Sequence, residues 1–217
     1  MNILTLDTGN TARAKAHLKR VDPRLGKVID ELPDCEIHNR RTTLFDMLAG
    51  SIVGQQLSTR AAATIYRRVC DLTGANRLTA LAVRASTTPA LRAAGLSKAK
   101  TKAIQTLAAA VAEGSLSLRS LARREDPEVI SALTQLPGIG LWTAQMFLMF
   151  ALRRADILST GDLGLQKGLQ RLDGLEDKPS TEEFEARAEI WAPYRSVASW
   201  YLWRLLELPE DKFPNQR

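Results

Sequence analysis

From Leu136 to Ala144 the chain reads Leu-Pro-Gly-Ile-Gly-Leu-Trp-Thr-Ala, and this stretch constrains the fold more than any other. A proline and two alternate glycines end one helix and open the next, so the two helices must fold back as a tight hairpin. Gly138 and Gly140 are expected to take backbone conformations closed to residues with a Cβ, which lets the N–H groups of the turn project at the start of a helix from Leu141. Helix-start N–H groups, with the positive end of the helix dipole behind them, hold phosphate oxygens without needing a particular side chain. Gly138, Gly140, Leu141 and Thr143 are therefore candidates for gripping a nucleic-acid backbone, a contact that positions but reads no sequence. A Pro-Gly-x-Gly turn can also be no more than a turn, and the rest of the chain must decide.

Composition agrees with a polyanionic partner. Lys and Arg number 30 against 24 Asp and Glu, a formal charge of +6 in 217 residues, and a surplus of this kind steers encounters with nucleic acid. The length suffices for one domain or two apposed lobes with a sizeable core, and a 45% hydrophobic content is that of a globular protein. Cys35 and Cys70 provide neither a disulfide framework nor the four ligands of a structural zinc or an iron–sulfur cluster, so a reducing, cytoplasmic setting is expected. The brief apolar run in Met1–Gly9, followed by Arg13, Lys15, Lys19 and Arg20, is neither a secretory segment nor a membrane span, and no membrane partner is expected.

Apolar periodicity points to helices nearly throughout. Leu44, Phe45, Leu48, Ile52, Val53 and Leu57 recur at helical spacing, with Thr42 or Thr43 placed to cap the start. Further helices are expected over Ala61–Leu72, Thr88–Ala94, Ala99–Glu113, Asp126–Leu133, Leu141–Leu152, Leu163–Leu172 and Thr181–Leu206, the last broken at Pro193. Only Ile3–Leu6 has a strand pattern. The expected architecture is all-α and two-lobed, with residues 44–133 as a central helical lobe and 131–152 as the hairpin. Residues 1–43 with 153–217 form the second lobe, and a cleft lies between the two.

One carboxylate stands in a distinctive place, Asp162 in Ser-Thr-Gly-Asp-Leu (159–163). Such an Asp caps the helix from Leu163 as its ordinary role. A helix from the hairpin to Arg153 spans about 18 Å, however, and the return loop could bring Asp162 back to the side that faces a bound strand.

These residues carry a resemblance. The hairpin followed by Asp162 is similar to the helix-hairpin-helix superfamily of base-excision DNA glycosylases, in particular its DNA-3-methyladenine glycosylase II branch. Ser51–Ser58 (Ser-Ile-Val-Gly-Gln-Gln-Leu-Ser), Gly95–Lys102 and Trp191–Ala198 (Trp-Ala-Pro-Tyr-Arg-Ser-Val-Ala) support it, and the combination spans most of residues 44–203. The resemblance implies a two-lobed helical enzyme with damaged duplex DNA across its cleft. It also implies the compact form, without the N-terminal β-domain of about a hundred residues that some members carry. Hydrolysis of the bond between base and deoxyribose passes through an oxocarbenium-like sugar, and a carboxylate beside that sugar, here Asp162, stabilises the positive charge. An alkylated purine such as 3-methyladenine or 7-methylguanine is cationic while attached to the sugar and departs as a neutral base, so it needs little general-acid help. No cofactor is implied, and a monomer suffices.

Trp142 stands where members that also cut the strand have a nucleophilic lysine, so the resemblance implies hydrolysis without lyase action. Trp142 and Trp203 are implied to line the lesion pocket, where ring stacking and cation–π attraction give about 0.5 to 2 kcal/mol. Met146 takes the place of a pocket tyrosine and alters its shape. Leu96 and Ser97 are candidates for the wedge that fills the gap left by an extruded nucleotide, and Gln55 and Gln56 either for contact with the orphaned base or for satisfying buried backbone. Lys98, Lys100, Lys102 and Lys167 are read as phosphate attraction. Hairpin carbonyls near Thr134, Leu136 and Ile139 could hold a monovalent cation. His17 and His38 lack metal-like spacing and are read as surface or packing residues. The rival readings are a non-catalytic helix-hairpin-helix module, a glycosylase for uracil or mismatched thymine, and a glycosylase with lyase action; an Asp162→Asn variant separates the first from an enzyme.

Overall fold

A computed structural model describes residues 3–39 and 42–209, and thirteen α-helices follow one another among them. In chain order these are α1 (Thr8–Val21), α2 (Pro23–Glu31), α3 (Leu44–Gly54), α4 (Thr59–Thr73), α5 (Ala80–Ala85), α6 (Thr88–Ala93) and α7 (Lys98–Ala112). They continue as α8 (Leu118–Leu121), α9 (Asp126–Thr134), α10 (Leu141–Met146), α11 (Leu163–Asp173), α12 (Thr181–Ala188) and α13 (Arg195–Leu205). The helices expected from Leu44, Ala61, Thr88, Ala99, Asp126, Leu141 and Leu163 are all present. Their starts are written into the sequence: α3 to α8 each begin after a Ser or Thr (Thr43, Ser58, Thr79, Thr87, Ser97, Ser117) whose side chain accepts from the backbone N–H three residues on.

Three expectations change, and the break expected at Pro193 is present. α1 and α2 fill a segment where no helix is expected. The helix expected over Leu141–Leu152 is α-helical only to Met146 and widens into a π-turn over Phe147–Ala151, closed by Leu152 N–H to the Phe147 carbonyl at 3.0 Å. The stretch Thr181–Leu206 divides into α12, a 3-10 turn over Glu189–Trp191 and α13. The strand pattern at Ile3–Leu6 yields a single antiparallel bridge between Thr5 and Arg154.

The chain divides into two compact units, Met1–Arg40 with Arg153–Arg217, and Arg41–Leu152. Fully buried Phe184, Trp191, Tyr201, Leu18, Leu25 and Ile29 form the core of the first. At its centre the carboxylate of Asp22 ends α1 and caps α2, accepting from Leu25 N–H (3.0 Å), Trp191 Nε1 (2.8 Å) and Arg187 Nη2 (2.6 Å). Gly168 lets α11 and α13 cross closely, since a Cβ there would stand 2.7 Å from the Leu202 carbonyl oxygen. In the second unit α3 buries Phe45, Leu48, Ala49, Ile52 and Val53 against α4, α7 and the π-turn. Charge is unevenly shared: the second unit has 13 Lys and Arg against 6 Asp and Glu, the first 17 against 18.

Candidate functional site

Local backbone geometry explains the hairpin. After α9, Leu136 N–H closes onto the Leu133 carbonyl and Ile139 N–H onto the Leu136 carbonyl, both at 3.1 Å. Gly138 has φ +79°, and a Cβ there would stand 2.6 Å from the Cβ of Ala103 on α7, so both its conformation and its neighbour demand glycine. Gly140 differs from the expectation. Its φ of −93° is open to any residue, and nothing lies within 4 Å of where a Cβ would be. What its missing side chain leaves is open space beside the first turn of α10, a helix that no side chain caps, in contrast to α3 to α8. Leu141 (56% exposed) and Trp142 (43%) face solvent on that turn. Thr143 is a correction: its side chain is 2% exposed, and its Oγ1 accepts from Gln55 Nε2 at 3.3 Å, so it serves the interior. Met146 is buried as well and presents no open surface. Among the described residues no group of three or more His, Cys, Asp or Glu could hold a metal ion.

The Gln55–Gln56 turn lies in the same unit and is tied to the hairpin. Gln55 Nε2 donates to the Gly138 carbonyl at 2.8 Å, so its amide is occupied within the protein. Gln56 is exposed and takes φ +56°, a left-handed conformation rare for a residue with a side chain. Lys100, read from sequence as one of a phosphate-attracting run, turns inward: its Nζ donates to the carbonyls of Val53 (2.9 Å) and Gln55 (2.6 Å), and burial lowers its pKa from the ordinary lysine value. Lys98 and Lys102, on either side, are exposed. Of the wedge candidates, Leu96 is 2% exposed and so is packed inside, while Ser97 is exposed but spends its hydroxyl on capping α7. No pattern in the sequence points to the inward turn of Lys100, whose partners lie 45 and 47 residues away.

In the other unit the loop that delivers Asp162 is pinned along its length. Leu6 N–H bonds the Arg153 carbonyl (2.7 Å) and Ala155 N–H the Leu4 carbonyl (3.0 Å). Ser196, at the start of α13, donates to the Arg154 carbonyl (2.7 Å) and accepts from Ile157 N–H (2.9 Å). The Arg195 guanidinium forks onto Asp156 at 2.7 and 2.8 Å. The loop ends at Asp162, whose Oδ1 caps α11 by accepting from Leu165 N–H (2.8 Å) and also accepts from Trp203 Nε1 (3.0 Å). Asp162 is half-buried, and its neighbour Leu163 is 62% exposed. Trp203 reaches it because residue 164 is glycine, where a Cβ would stand 3.0 Å from both the indole and Asp162 Oδ1. The structure thus brings Asp162 and Trp203 together, and Gln55, Gly138 and Thr143 together. Trp191 and Tyr201 are buried packing residues, His17 lies edge-on to Tyr194, and His38 Nδ1 is 3.2 Å from Thr11 Oγ1.

Comparison with known proteins bears on both units. Residues 49–193 match the model of the HhH-GPD superfamily base excision DNA repair proteins. The chain is 30% identical over 208 residues to DNA-3-methyladenine glycosylase 1 of Schizosaccharomyces pombe, covering 93% of this chain and 90% of that one. A crystal structure of a DNA-3-methyladenine glycosidase from Bacillus halodurans superposes with a TM-score of 0.75 at 35% identity, over 94% of this chain and 92% of the other. The S. pombe 3-methyladenine DNA glycosylase in complex with abasic DNA gives 0.80 at 29% identity, over 91% and 98%.

Proposed function

Because the chain belongs to the HhH-GPD superfamily of base excision DNA repair proteins, we propose that it is a monofunctional DNA glycosylase that releases alkylated purines from duplex DNA and leaves an abasic site. The observation that carries the reading is Asp162, held by a pinned loop, by the first turn of α11 and by the indole of Trp203. The relatives named for 3-methyladenine supply the substrate class, and the S. pombe enzyme bound to abasic DNA supplies the product class.

In this mechanism the hairpin grips the strand through N–H groups at the start of α10, with Gly140 leaving room for a phosphodiester. The positive surplus of the Arg41–Leu152 unit attracts the duplex regardless of sequence. The damaged nucleotide is extruded, at a cost of a few kcal/mol, and the exposed Trp142 ring is the surface for a flat cationic base. Gln56 replaces Leu96 and Ser97 as the side chain that reaches toward the vacated position. As the bond from C1′ to the purine nitrogen breaks, its electrons leave with the cationic base, and the sugar takes up positive charge beside Asp162. Water adds to C1′, and its proton passes to bulk solvent. Trp203 Nε1 and Leu165 N–H fix the carboxylate in place before the charge develops, so no reorientation is needed at that moment.

The test is base release from duplexes each carrying one defined lesion, with free base and strand breaks scored separately. Asp162→Asn should abolish release while leaving binding to an abasic-site duplex within about threefold. Equal release by both proteins refutes the role of Asp162, and binding without release by the unaltered protein makes it a non-catalytic module. A DNA substrate and two unpaired cysteines support a reducing, cytoplasmic setting for this activity.

A further inference from the structure

α3 ends in an unusual way. Where α4 and α11 close on glycines in the left-handed conformation, Gly74 and Gly174, α3 is followed by Gln55 in an extended conformation and then by the left-handed Gln56. A glycine at 56 would take that conformation without strain, whereas a residue with a side chain is disfavoured there. The last carbonyls of α3 are met from outside by the Lys100 ammonium, at the negative end of the helix dipole. One turn further along α7, Ala103 abuts Gly138, so this single helix contacts both the Gln56 turn and the hairpin.

We propose that Lys100 is a positioning residue for base extrusion: by clamping the carbonyls of Val53 and Gln55 it holds Gln56 in the strained conformation from which its exposed amide enters the duplex. The proposal rests on the glycosylase reading for the purpose of extrusion, not for its measurement. Three observations carry it. Gln56 keeps its left-handed conformation although its side chain is exposed. Lys100 is drawn from solvent to two neutral carbonyls, a costly placement for an ammonium unless it holds something in place. The Gln55 amide then fixes the same turn against the Gly138 carbonyl, so the turn and the hairpin keep one spacing.

The experiment places 2-aminopurine opposite a stable abasic analogue in a duplex and follows its fluorescence on binding, a readout of unstacking by an inserted side chain that needs no hydrolysis. The protein should raise the fluorescence. Gln56→Ala and Lys100→Met should each cut the rise about threefold or more at saturating protein, and the double variant should match Gln56→Ala alone, because Lys100 acts through Gln56. Thermal unfolding of each variant accompanies the series, and Lys100→Gln takes the same place in it if Lys100→Met does not fold. A full rise with either single variant, or losses that multiply in the double variant, overturns the proposal. A protein that gives the rise but releases no damaged base overturns the glycosylase reading and leaves this one standing.

Discussion

The hairpin's dependence on Gly138 can be put to a quantitative test. In Gly138→Ala the new methyl carbon would stand 2.6 Å from the Cβ of Ala103, where ordinary carbon contacts begin near 3.5 Å. Relieving that overlap by moving the turn or α7 costs about 1–3 kcal/mol. The φ of +79° adds about 1–2 kcal/mol for a residue with a Cβ. Restriction of the unfolded chain returns about 0.4–1 kcal/mol. The variant should therefore be about 1.5–4 kcal/mol less stable, read as a lower urea midpoint with an unchanged slope. Ala103→Gly alone costs about 1 kcal/mol as a glycine in the interior of α7. It also removes the atom the new methyl strikes, so in the double variant the overlap cost disappears and the two changes couple favourably by about 1–3 kcal/mol. The left-handed strain has no such remedy and persists. If the effects of the two substitutions add to within about 0.5 kcal/mol, the close approach of α7 to the hairpin is not what selects glycine at this position.

Trp203→Phe keeps a ring but loses the N–H donated to Asp162 Oδ1; a hydrogen bond to a charged group is worth about 1.5–3 kcal/mol, so single-turnover base release should fall by about ten- to a hundredfold with affinity for an abasic duplex unchanged. Burial pushes the Asp22 carboxyl upward, but the Leu25 N–H, the Trp191 indole and the Arg187 guanidinium outweigh it and hold its pKa below the ordinary carboxylate value of 3.8. Its contribution to stability is thus complete above that value and is lost as pH falls through the lower folded one, so Asp22→Asn should flatten the acid limb of a stability-against-pH curve below about pH 4. Arg187→Met, which strands Asp22 at 3% exposure, should cost about 3–5 kcal/mol in a denaturant titration. Borohydride added during turnover should trap no covalent protein–DNA adduct, since Trp142 offers no amine; an adduct would direct attention to the lysines.

The sequence discloses what is encoded locally and is silent on what is encoded at a distance. Pro137 with Gly138 marks the hairpin, six Ser or Thr caps mark helix starts, and Asp162 is recognisable as a cap from its Gly-Asp-Leu setting. α1 escapes notice because its buried face is only Thr11, Ala14 and Leu18, small or widely spaced residues that give little periodic signal. Gly140 resembles Gly138 in sequence, and only the φ values tell the turn residue from the one that leaves space. Lys100 differs from Lys98 and Lys102 in nothing local; carbonyls contributed by α3 decide that the middle lysine turns inward. Leu96 fails as a wedge for the converse reason, since a loop leucine reads the same whether exposed or packed. Trp203 as a donor to Asp162 depends on a helix that returns 41 residues later.

The uneven charge of the two units bears on how such a protein could work at all. A carboxylate that must stabilise a cationic sugar is repelled by the phosphates on either side of that sugar, so whatever delivers it to the strand has to be attracted for other reasons. The unit that bears Asp162 has no surplus positive charge to offer, whereas the hairpin's unit has 13 basic residues against 6 acidic. Attraction and chemistry are therefore assigned to separate parts of the chain, and the N–H groups of Leu165 and Trp203 hold Asp162 Oδ1 at 2.8 and 3.0 Å. These two neutral donors fix the oxygen without offsetting its charge, which the oxocarbenium-like sugar needs beside it as the base departs.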